Sequence, residues 1–237
     1  MLKDEIWAII PARSGSVGLK NKNIKNLNGK PLIYYTIEFA KKLSFIDKIF
    51  LSTDSQYYAD IANQYGVETP FLRSDCSSTS EAMEEDILLD IYNKCVLNNI
   101  KIPKSILWLR PTHPLRSLNV FENAYKIFCK NKKSVCVVTE TDGRIFYEVD
   151  KCLIPIINSF KKKSMVRRQD CKKFYKIFSG EFFSFPTTYN KKFLGNDLLF
   201  IEQPKICSFD IDSLEDFNYL EFILKNNDDY RKYIHGY

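Results

Sequence analysis

Apolar runs and amphipathic segments alternate along most of the chain, and this order constrains the fold more than any other feature of the sequence. The run from Ile6 to Ile10 is typical of a buried strand, and the stretch from Leu32 to Leu43 has helical periodicity. Repeated strand–helix order predicts an α/β fold with a mostly parallel sheet and helices on both faces. On the same grounds we expect strands at 48–52, 67–72, 105–109, 134–139, 181–185, 198–201 and 206–209, and helices at 56–65, 81–96, 118–128 and 214–225.

The strand–helix order is lost between residues 141 and 178, which carry charged, aromatic and turn residues. A chain of 237 residues is long for one domain and short for two, so one core with an insertion is expected. We therefore predict a core formed by 1–140 and 179–237 and a small arm inserted at 141–178. The last dozen residues are polar and aromatic, and we expect a loosely held tail there.

The positive charge of the chain is modest and dispersed. The formal net charge is +6, and the lysines are spread along the chain, with local basic clusters at 161–163 and 167–168. A nucleic-acid-binding protein usually gathers its positive charge into one stripe. The distribution therefore argues against a nucleic-acid partner and favours a basic pocket for a small anionic substrate.

The cysteines and the apolar runs indicate a cytoplasmic protein without a membrane partner. The chain has seven cysteines, none of them spaced as C-x-x-C, and its start shows no signal-peptide pattern, which together indicate reduced thiols. The two histidines, His113 and His235, are not near a cysteine pair, so a zinc site is not expected. Every apolar run is shorter than the roughly 20 residues that span a bilayer.

The first predicted strand ends in a loop rich in glycine and positive charge, IIPARSGSVGLKNKN, at residues 9–23. In an open α/β sheet the ligand crevice lies beyond the carboxyl ends of the strands. Glycines let the backbone approach a ligand closely, and Arg13 and Lys22 can neutralise phosphate oxygens. The loop therefore predicts an anion site, although a solvated surface loop can have the same composition. It matches neither the P-loop pattern nor G-x-G-x-x-G.

The loop and several later segments match a known set of motifs in the right order. The segment IIPARSGSVGLKNKNI is similar to IIPARGGSKGIxxKNI, and LNGKPLIYYTIEFA follows it as in that set. Further matches are IFLSTDS, YGVETPFLR, LRPTHPLR, RRQD and FDIDSLEDF, so the resemblance extends over nearly the whole chain. These motifs resemble those of the acylneuraminate cytidylyltransferases, the CMP-sialic acid synthetases. The resemblance implies a Rossmann-like nucleotidyltransferase fold in which the arm is a dimerisation element.

The resemblance also implies a reaction. In this family CMP passes from CTP to the anomeric hydroxyl of a 2-keto sugar acid, a sialic acid-like nonulosonate, and pyrophosphate leaves, for surface polysaccharide or glycan synthesis. Such transfer depends on cations that neutralise the phosphate oxygens, including Mg²⁺ held by carboxylates. The implied partners are CTP, the sugar-acid acceptor and a second copy of the chain, in a homodimer with shared active sites.

The carboxylates of the DID segment have two possible roles. On a strand, Asp210 and Asp212 would face the same side and could converge on one metal ion. The segment can also cap the following helix, with Ser213 as the N-cap. Residue by residue, the resemblance assigns catalysis to Arg13, Lys22 and Asp210; nucleotide binding to Pro11, Ala12, Arg13, Ser16, Lys22, Asn23 and Arg73; acceptor binding to Arg110, Arg144, Arg168 and Gln169; and Mg²⁺ binding to Asp210 and Asp212.

Four positions depart from the family pattern: Val17 replaces a lysine, Arg110 a glutamine, His113 a serine and Ser179 an asparagine. A fixed charge in a closed site must meet an anion or a carboxylate. Three roles are therefore open for Arg110: it binds an anionic group of the acceptor, it takes over the work of the lysine replaced by Val17, or it pairs with a carboxylate of the run 84–86. Arg144 can equally be a solvated residue of the arm.

These departures leave alternative functions open. The chain could use another anionic acceptor, although the octulosonate enzymes carry the different loop IPARxxSxRLPGKPL. It could also be a nucleotide-binding module without catalysis. Retention of Arg13, Lys22, Asp210 and Asp212 favours an enzyme.

Overall fold

A computed structural model describes residues 5–16, 18–156, 167, 169, 172–185 and 194–234. The strands are β1 (Ile6–Pro11), β2 (Asn26–Leu27), β3 (Lys30–Pro31), β4 (Lys48–Ser52), β5 (Ser105–Trp108), β6 (Ser134–Thr141), β7 (Phe146–Val149), β8 (Cys152–Pro155), β9 (Phe174–Ser184) and β10 (Leu198–Glu202). The helices are α1 (Leu32–Lys42), α2 (Gln56–Gln64), α3 (Glu84–Leu97), α4 (Leu118–Asn131), α5 (Leu214–Asn226) and α6 (Asp228–Ile234), with short 3₁₀ helices at Lys22–Ile24, Asp75–Ser77 and Lys205–Ser208.

The predicted α/β fold is confirmed. Six strands form one sheet in the order β10-β6-β9-β5-β1-β4. The pairs β1–β4, β1–β5 and β6–β10 are parallel, whereas β9 runs antiparallel to both β5 and β6. The carboxyl ends of β1, β4 and β5 therefore lie at one edge of the sheet, where the loop after β1 begins.

Helices cover both faces of the sheet, as the apolar pattern predicts. Because side chains alternate along a strand, Ala8 and Ile10 of β1 pack on one face, with α1 and α4, whereas Trp7 and Ile9 pack on the other, with α3. Local signals start the helices where the sequence places them. Ser55 accepts a hydrogen bond from the amide of Tyr58 at the start of α2.

Two predicted strands are wrong. Within 67–72 the structure has a single bridge, between Phe50 and Glu68, in place of a strand. Residues 205–208 form a 3₁₀ helix, in which the amide of Cys207 donates to the carbonyl of Pro204. Short apolar runs do not distinguish a strand from a buried turn, which explains both differences.

The prediction of a loose tail is also wrong, because α6 packs against the core. Ile234 is buried in a cluster with Leu27, Leu32 and Leu115, and Tyr233 packs at its edge. The carbonyl of Tyr233 accepts a hydrogen bond from the amide of Arg116 (3.0 Å). These apolar side chains lie on one side of a short helix, and burial of that side holds the segment in place.

The predicted arm contains a hairpin formed by β7 and β8. Several of its apolar side chains are exposed, and Leu153 is exposed to 71%. The end of the predicted arm also contributes to the central sheet, since Lys176 pairs with Thr139 and Tyr175 with Glu140. The division into a core and an arm, with its boundaries, stays a prediction.

Two further features bear on the expectations from composition. In the part of the chain that the structure describes, the cysteines at 76, 95, 129, 136, 152 and 207 are all free thiols. Across the same residues no helix combines the length and the apolar character needed to cross a lipid bilayer.

Candidate functional site

A cavity of about 420 Å³ opens at the carboxyl ends of β1 and β5. This volume lies within the roughly 300–1,000 Å³ of small-molecule sites. Its position is the one expected for a ligand crevice in an open α/β sheet. The predicted site residues that line it are Pro11, Arg13, Ser16, Lys22, Asn23, Arg73, Arg110 and Asp212.

The loop after β1 is held in shape by two side chains beneath it. The amide and hydroxyl of Ser14 donate to the two carboxylate oxygens of Asp54, at 2.7 and 3.0 Å. The buried Asn23 donates from Nδ2 to the carbonyl of Arg13 (3.1 Å). Asp54, in the segment IFLSTDS, has no role in the sequence-based assignment, and its place two residues after the end of β4 is the signal that could have identified it.

The second half of the loop, at Gly18 and Lys22, lies against Asp212 in the segment before α5. A Cβ atom at Gly18 would lie 2.5 Å from the carbonyl oxygen of Asp212, so glycine is needed for this close approach. Lys22 Nζ lies 3.1 Å from Asp212 Oδ1. The loop therefore brings Lys22 and Asp212 together on one wall of the cavity.

Arg73 carries an unsatisfied donor at the cavity. Its residue surface is 8% exposed, and its Nε donates to the hydroxyl of Ser52 (2.8 Å). Its Nη2 is buried and has no hydrogen-bond partner among the described residues. Burial lowers the pKa of the guanidinium to about 10, against the opposing charge of Asp54. A buried donor without a partner indicates a place for a ligand acceptor.

Arg110 lies between two carboxylates. Its Nη1 donates to Glu181 Oε2 at 2.8 Å, and its Nη2 donates to Glu84 Oε1 at 2.6 Å. The guanidinium also stacks 4.5 Å from the ring centre of Phe178. Glu181 is fully buried, and burial raises the pKa of its carboxyl group. The contact with Glu84 agrees with one role that the sequence left open, pairing of Arg110 with a carboxylate of the run 84–86. Binding of the acceptor by Arg110 stays a prediction.

Arg116 fixes the backbone around two of the positions that depart from the family pattern. It is completely buried, and burial lowers its pKa to about 9. Its Nη2 donates to the carbonyl of Arg110 (2.6 Å), its Nε to the carbonyl of Ser179 (3.2 Å) and its Nη1 to the hydroxyl of Thr36 (3.1 Å). No role was assigned to Arg116 from the sequence, although it ends the segment LRPTHPLR.

Asp210 and Asp212 do not lie on a strand, so the argument from strand alternation is wrong. Both lie in the irregular segment before α5, on either side of the buried Ile211. The amide of Ile211 donates to the carbonyl of Thr112 (2.9 Å). Asp210 lies 3.1 Å from Lys176 Nζ and 3.4 Å from His113 Nδ1, and Asp212 faces Lys22.

The caps of α5 come from other side chains, so the two carboxylates of the DID segment are not needed for capping. Ser213 is the N-cap, as the sequence predicts, and its hydroxyl accepts from the amide of Asp216 (3.1 Å). The carboxylate of Asp216 accepts in return from the amide of Ser213 (2.8 Å). Each of the two carboxylates instead pairs with a lysine, Asp210 with Lys176 and Asp212 with Lys22, and only Asp212 of the two lines the cavity.

His113 lies beneath Asp210 in a closed environment. It is 1% exposed, and its Nε2 has no hydrogen-bond partner among the described residues. Burial and the nearby charge of Arg116 lower its pKa well below 6.5, so the ring is neutral at pH 7. A neutral imidazole adds no charge to the site.

Other predicted site residues lie away from this cavity or outside the described residues. Ala12 is buried behind Pro11, and its amide donates to the carbonyl of Ser52 (2.8 Å). Arg144 pairs with Asp142, and Gln169 is exposed; neither lines the cavity. Arg168, together with Val17 of the loop, lies outside the described residues.

Comparisons with known proteins agree on one kind of activity. A family model described as cytidylyltransferase matches residues 7–99. The chain is 32% identical to the pseudaminic acid cytidylyltransferase of Campylobacter jejuni over 235 residues. This match covers 92% of this chain and 96% of that protein. It is 39% identical over 134 residues to the CMP-N,N'-diacetyllegionaminic acid synthase of Legionella pneumophila, and 37% identical over 143 residues to the N-acylneuraminate cytidylyltransferase of Escherichia coli. These two matches span 57% and 32% of the length of those relatives.

Solved structures with low sequence identity share the fold. A CMP:2-keto-3-deoxy-manno-octonic acid synthetase complexed with CTP superposes with a TM-score of 0.68 at 12% identity, over 93% of this chain and 98% of that one. A 4-diphosphocytidyl-2C-methyl-D-erythritol synthase superposes with a TM-score of 0.67 at 10% identity, over 94% of this chain and all (100%) of that one.

Proposed function

This chain belongs to the cytidylyltransferase family, and from that premise we propose that it transfers CMP from CTP to the anomeric hydroxyl of a nonulosonate, a nine-carbon 2-keto sugar acid. The acceptor oxygen attacks the α-phosphorus, the bond from this phosphorus to the bridging oxygen breaks, and pyrophosphate leaves. The hydroxyl proton passes to solvent water as the new P–O bond forms. The product would serve the synthesis of a surface polysaccharide or other glycan.

The single observation that carries the proposal is the gathering of Arg13, Lys22, Arg73 and Asp212 around one cavity at the carboxyl edge of the sheet. Nucleotidyl transfer depends on positioning and on neutralising charge at the phosphate oxygens. Arg13 and Lys22 lie on the glycine-containing loop, where they would bind the triphosphate. The unsatisfied donor of Arg73 suits an acceptor atom of the nucleotide.

Asp210 and Asp212 would hold Mg²⁺. Carboxylate oxygens are the donors that Mg²⁺ prefers, and it is usually bound by one or two carboxylates together with substrate phosphates. In the described residues no group of three or more His, Cys, Asp or Glu side chains that could hold a metal ion occurs, so the proposal rests on the two carboxylates alone. Lys22 and Lys176 occupy the cationic positions beside these carboxylates. When bound, Mg²⁺ would neutralise charge on the phosphates.

We expect the active form to be a homodimer. The hairpin of β7 and β8 exposes apolar side chains on both faces, Phe146 and Leu153 on one and Tyr147 and Val149 on the other, and exposed apolar surface of this kind is typical of an interaction surface. A partner that covers the hairpin would also bring acceptor-binding groups of the arm towards a neighbouring cavity. We expect it to act in the cytoplasm, where CTP is available and thiols stay reduced.

Identification of the product tests the proposal. The protein is incubated with CTP, Mg²⁺ and, separately, pseudaminate, legionaminate, N-acetylneuraminate and an octulosonate, and the products are analysed by mass spectrometry. We expect a CMP ester with one of the nonulosonates. The matched control is the methyl glycoside of the same acid, which lacks the free anomeric hydroxyl and should give no ester. Formation of an ester with the octulosonate alone would contradict the proposed acceptor class.

A further inference from the structure

We infer that Glu84 recognises the 4-amino group of the cytosine base, and that Arg110 holds the Glu84 carboxylate in position for this contact. The inference rests on the proposed function, because it concerns how the same cavity selects CTP over UTP. Cytosine offers acceptors at O2 and N3 and a donor at its 4-amino group. Uracil offers a donor at N3 and an acceptor at O4. A site that selects cytosine therefore needs a donor and an acceptor placed side by side.

Arg73 supplies the donor. Its Nη2 is buried, faces no hydrogen-bond acceptor among the described residues and belongs to a side chain that lines the cavity. Nε is already bonded to the hydroxyl of Ser52, which fixes the plane of the guanidinium. A buried donor of this kind is satisfied by O2 or N3 of the base.

Glu84 supplies the acceptor. It lies in the first turn of α3 and lines the same cavity as Arg73. The two side chains interact electrostatically: burial lowers the pKa of Arg73, and Glu84 is among the carboxylates that raise it. A carboxylate is a suitable acceptor for the cytosine amino group. Ile87 and Trp108 add apolar surface to the cavity wall, against which the base can pack.

Arg110 is the positioning residue. Its Nη2 donates to Glu84 Oε1 (2.6 Å), so one oxygen of that carboxylate is held and the other remains as an acceptor. Arg110 is itself anchored by the buried Glu181 through Nη1 and by the Phe178 ring on its face. Its main-chain carbonyl is fixed by Arg116. This arrangement explains why position 110 is an arginine without requiring an additional anionic group on the sugar-acid substrate.

The same geometry rejects uracil. The O4 atom of uracil would face the Glu84 carboxylate, so two acceptors would meet in the cavity. Leaving buried polar groups unpaired is the means by which a hydrogen-bonding site discriminates strongly against a close analogue.

The rival interpretation is that Glu84 contacts the acceptor sugar. The two differ in a binding measurement without acceptor, because only contact with the base alters the relative affinity for CTP and UTP. Isothermal titration of CTP and of UTP with the wild type, Glu84→Gln and Glu85→Gln separates them. Glu85 lies in the same helical turn and does not line the cavity, so Glu85→Gln controls for loss of one negative charge at the start of α3.

We expect the wild type to prefer CTP, and Glu84→Gln to lower the CTP-to-UTP affinity ratio by at least about 10-fold. The glutamine amide can turn its NH₂ group towards O4 of uracil, so part of the change should be a gain for UTP. Glu85→Gln should leave the ratio unchanged. An unchanged ratio in Glu84→Gln, or a change in the KM for the acceptor alone, would overturn the inference.

A second pair of variants tests the positioning role of Arg110. Arg110→Lys keeps the charge but cannot bridge Glu84 and Glu181 with a planar fork. The double variant Arg110→Gln/Glu181→Gln avoids leaving Glu181 buried and unpaired. Both should lower the CTP-to-UTP ratio while the affinity for inorganic tripolyphosphate, which probes the loop alone, stays the same. Equal weakening of CTP, UTP and tripolyphosphate would indicate a purely structural role and overturn the positioning claim. A wild type that binds neither nucleotide would instead contradict the proposed function.

Discussion

Asp54→Asn tests whether the loop after β1 must be held in its observed shape to bind CTP. Asp54 accepts two hydrogen bonds from Ser14, one from the amide and one from the hydroxyl, at 2.7 and 3.0 Å. Asparagine has a single acceptor oxygen and no charge: that oxygen can accept from the Ser14 amide, while the NH₂ group can only donate to the Ser14 hydroxyl oxygen. The substitution therefore replaces two hydrogen bonds to a charged group by weaker neutral ones.

The size of the effect follows from the surroundings of this contact. A hydrogen bond to a charged group contributes about 1.5–3 kcal/mol. The contact with Ser14 is half-buried, so the lower end of that range applies. About 1.5 kcal/mol corresponds to a roughly 10-fold loss of CTP affinity.

The sign of the effect makes the test decisive. Removal of a negative charge near a triphosphate site would by itself strengthen CTP binding, because Asp54 also offsets the charge of Arg73. Weaker binding is therefore the result expected from the weakened hydrogen bonds and is opposite to the effect of the lost charge. Isothermal titration with CTP measures the affinity, and Asp60→Asn is the matched control, since Asp60 is exposed on α2 and bonds to Gln56. Equal or tighter CTP binding by Asp54→Asn, with the fold intact, would refute this reasoning.

Three other predictions concern the loop after β1, the proposed metal site and the hairpin. Gly18→Ala places a Cβ atom 2.5 Å from the carbonyl of Asp212, so kcat/KM should fall at least ~10-fold, whereas Gly15→Ala, with no atom within 4 Å of its added Cβ, should have a far smaller effect in the same assay. Asp210→Asn and Asp212→Asn should each lower kcat by at least ~10²-fold with unchanged circular dichroism, and near-normal turnover in both would exclude the metal assignment. Leu153→Lys on the hairpin should shift the mass measured by light scattering at micromolar concentration from dimer to monomer, because it puts a charge into the proposed interface; a wild type that is already monomeric would contradict the dimer.

Much of the fold is readable from the sequence because it depends on local patterns. The parallel pairs around β1 follow from buried apolar runs that alternate with amphipathic helices. The start of α5 follows from Ser213 and Asp216, which form a capping box three residues apart. Boundaries that depend on tertiary packing are less readable. Docking of α6 on the core, for example, needs a groove that Leu27, Leu32 and Leu115 form only after folding.

The candidate site divides in the same way. Arg13, Lys22 and Asn23 lie within one loop, so a motif places them together. The partners of Arg110 cannot be read locally, because Glu84 and Glu181 lie 26 and 71 residues away from it in the chain. The sequence indicates that a carboxylate from 84–86 is available but not that a second one is buried behind the arginine. Arg116 was missed for the same reason, since its contacts reach Thr36 on α1 and Ser179 on β9, far away in the chain.

The central claim is that this cavity couples CTP cleavage to esterification of a nonulosonate, and the stoichiometry of the reaction tests it most directly. Pyrophosphate release and CMP-ester formation are measured together, in the presence and absence of the acceptor, for the wild type and for Lys22→Ala. We predict one pyrophosphate for each ester, no release without acceptor, and at least ~10²-fold slower turnover for Lys22→Ala, because Lys22 lies where the triphosphate charge would be neutralised. Acceptor-independent release, or release at the wild-type rate by Lys22→Ala, would contradict the account.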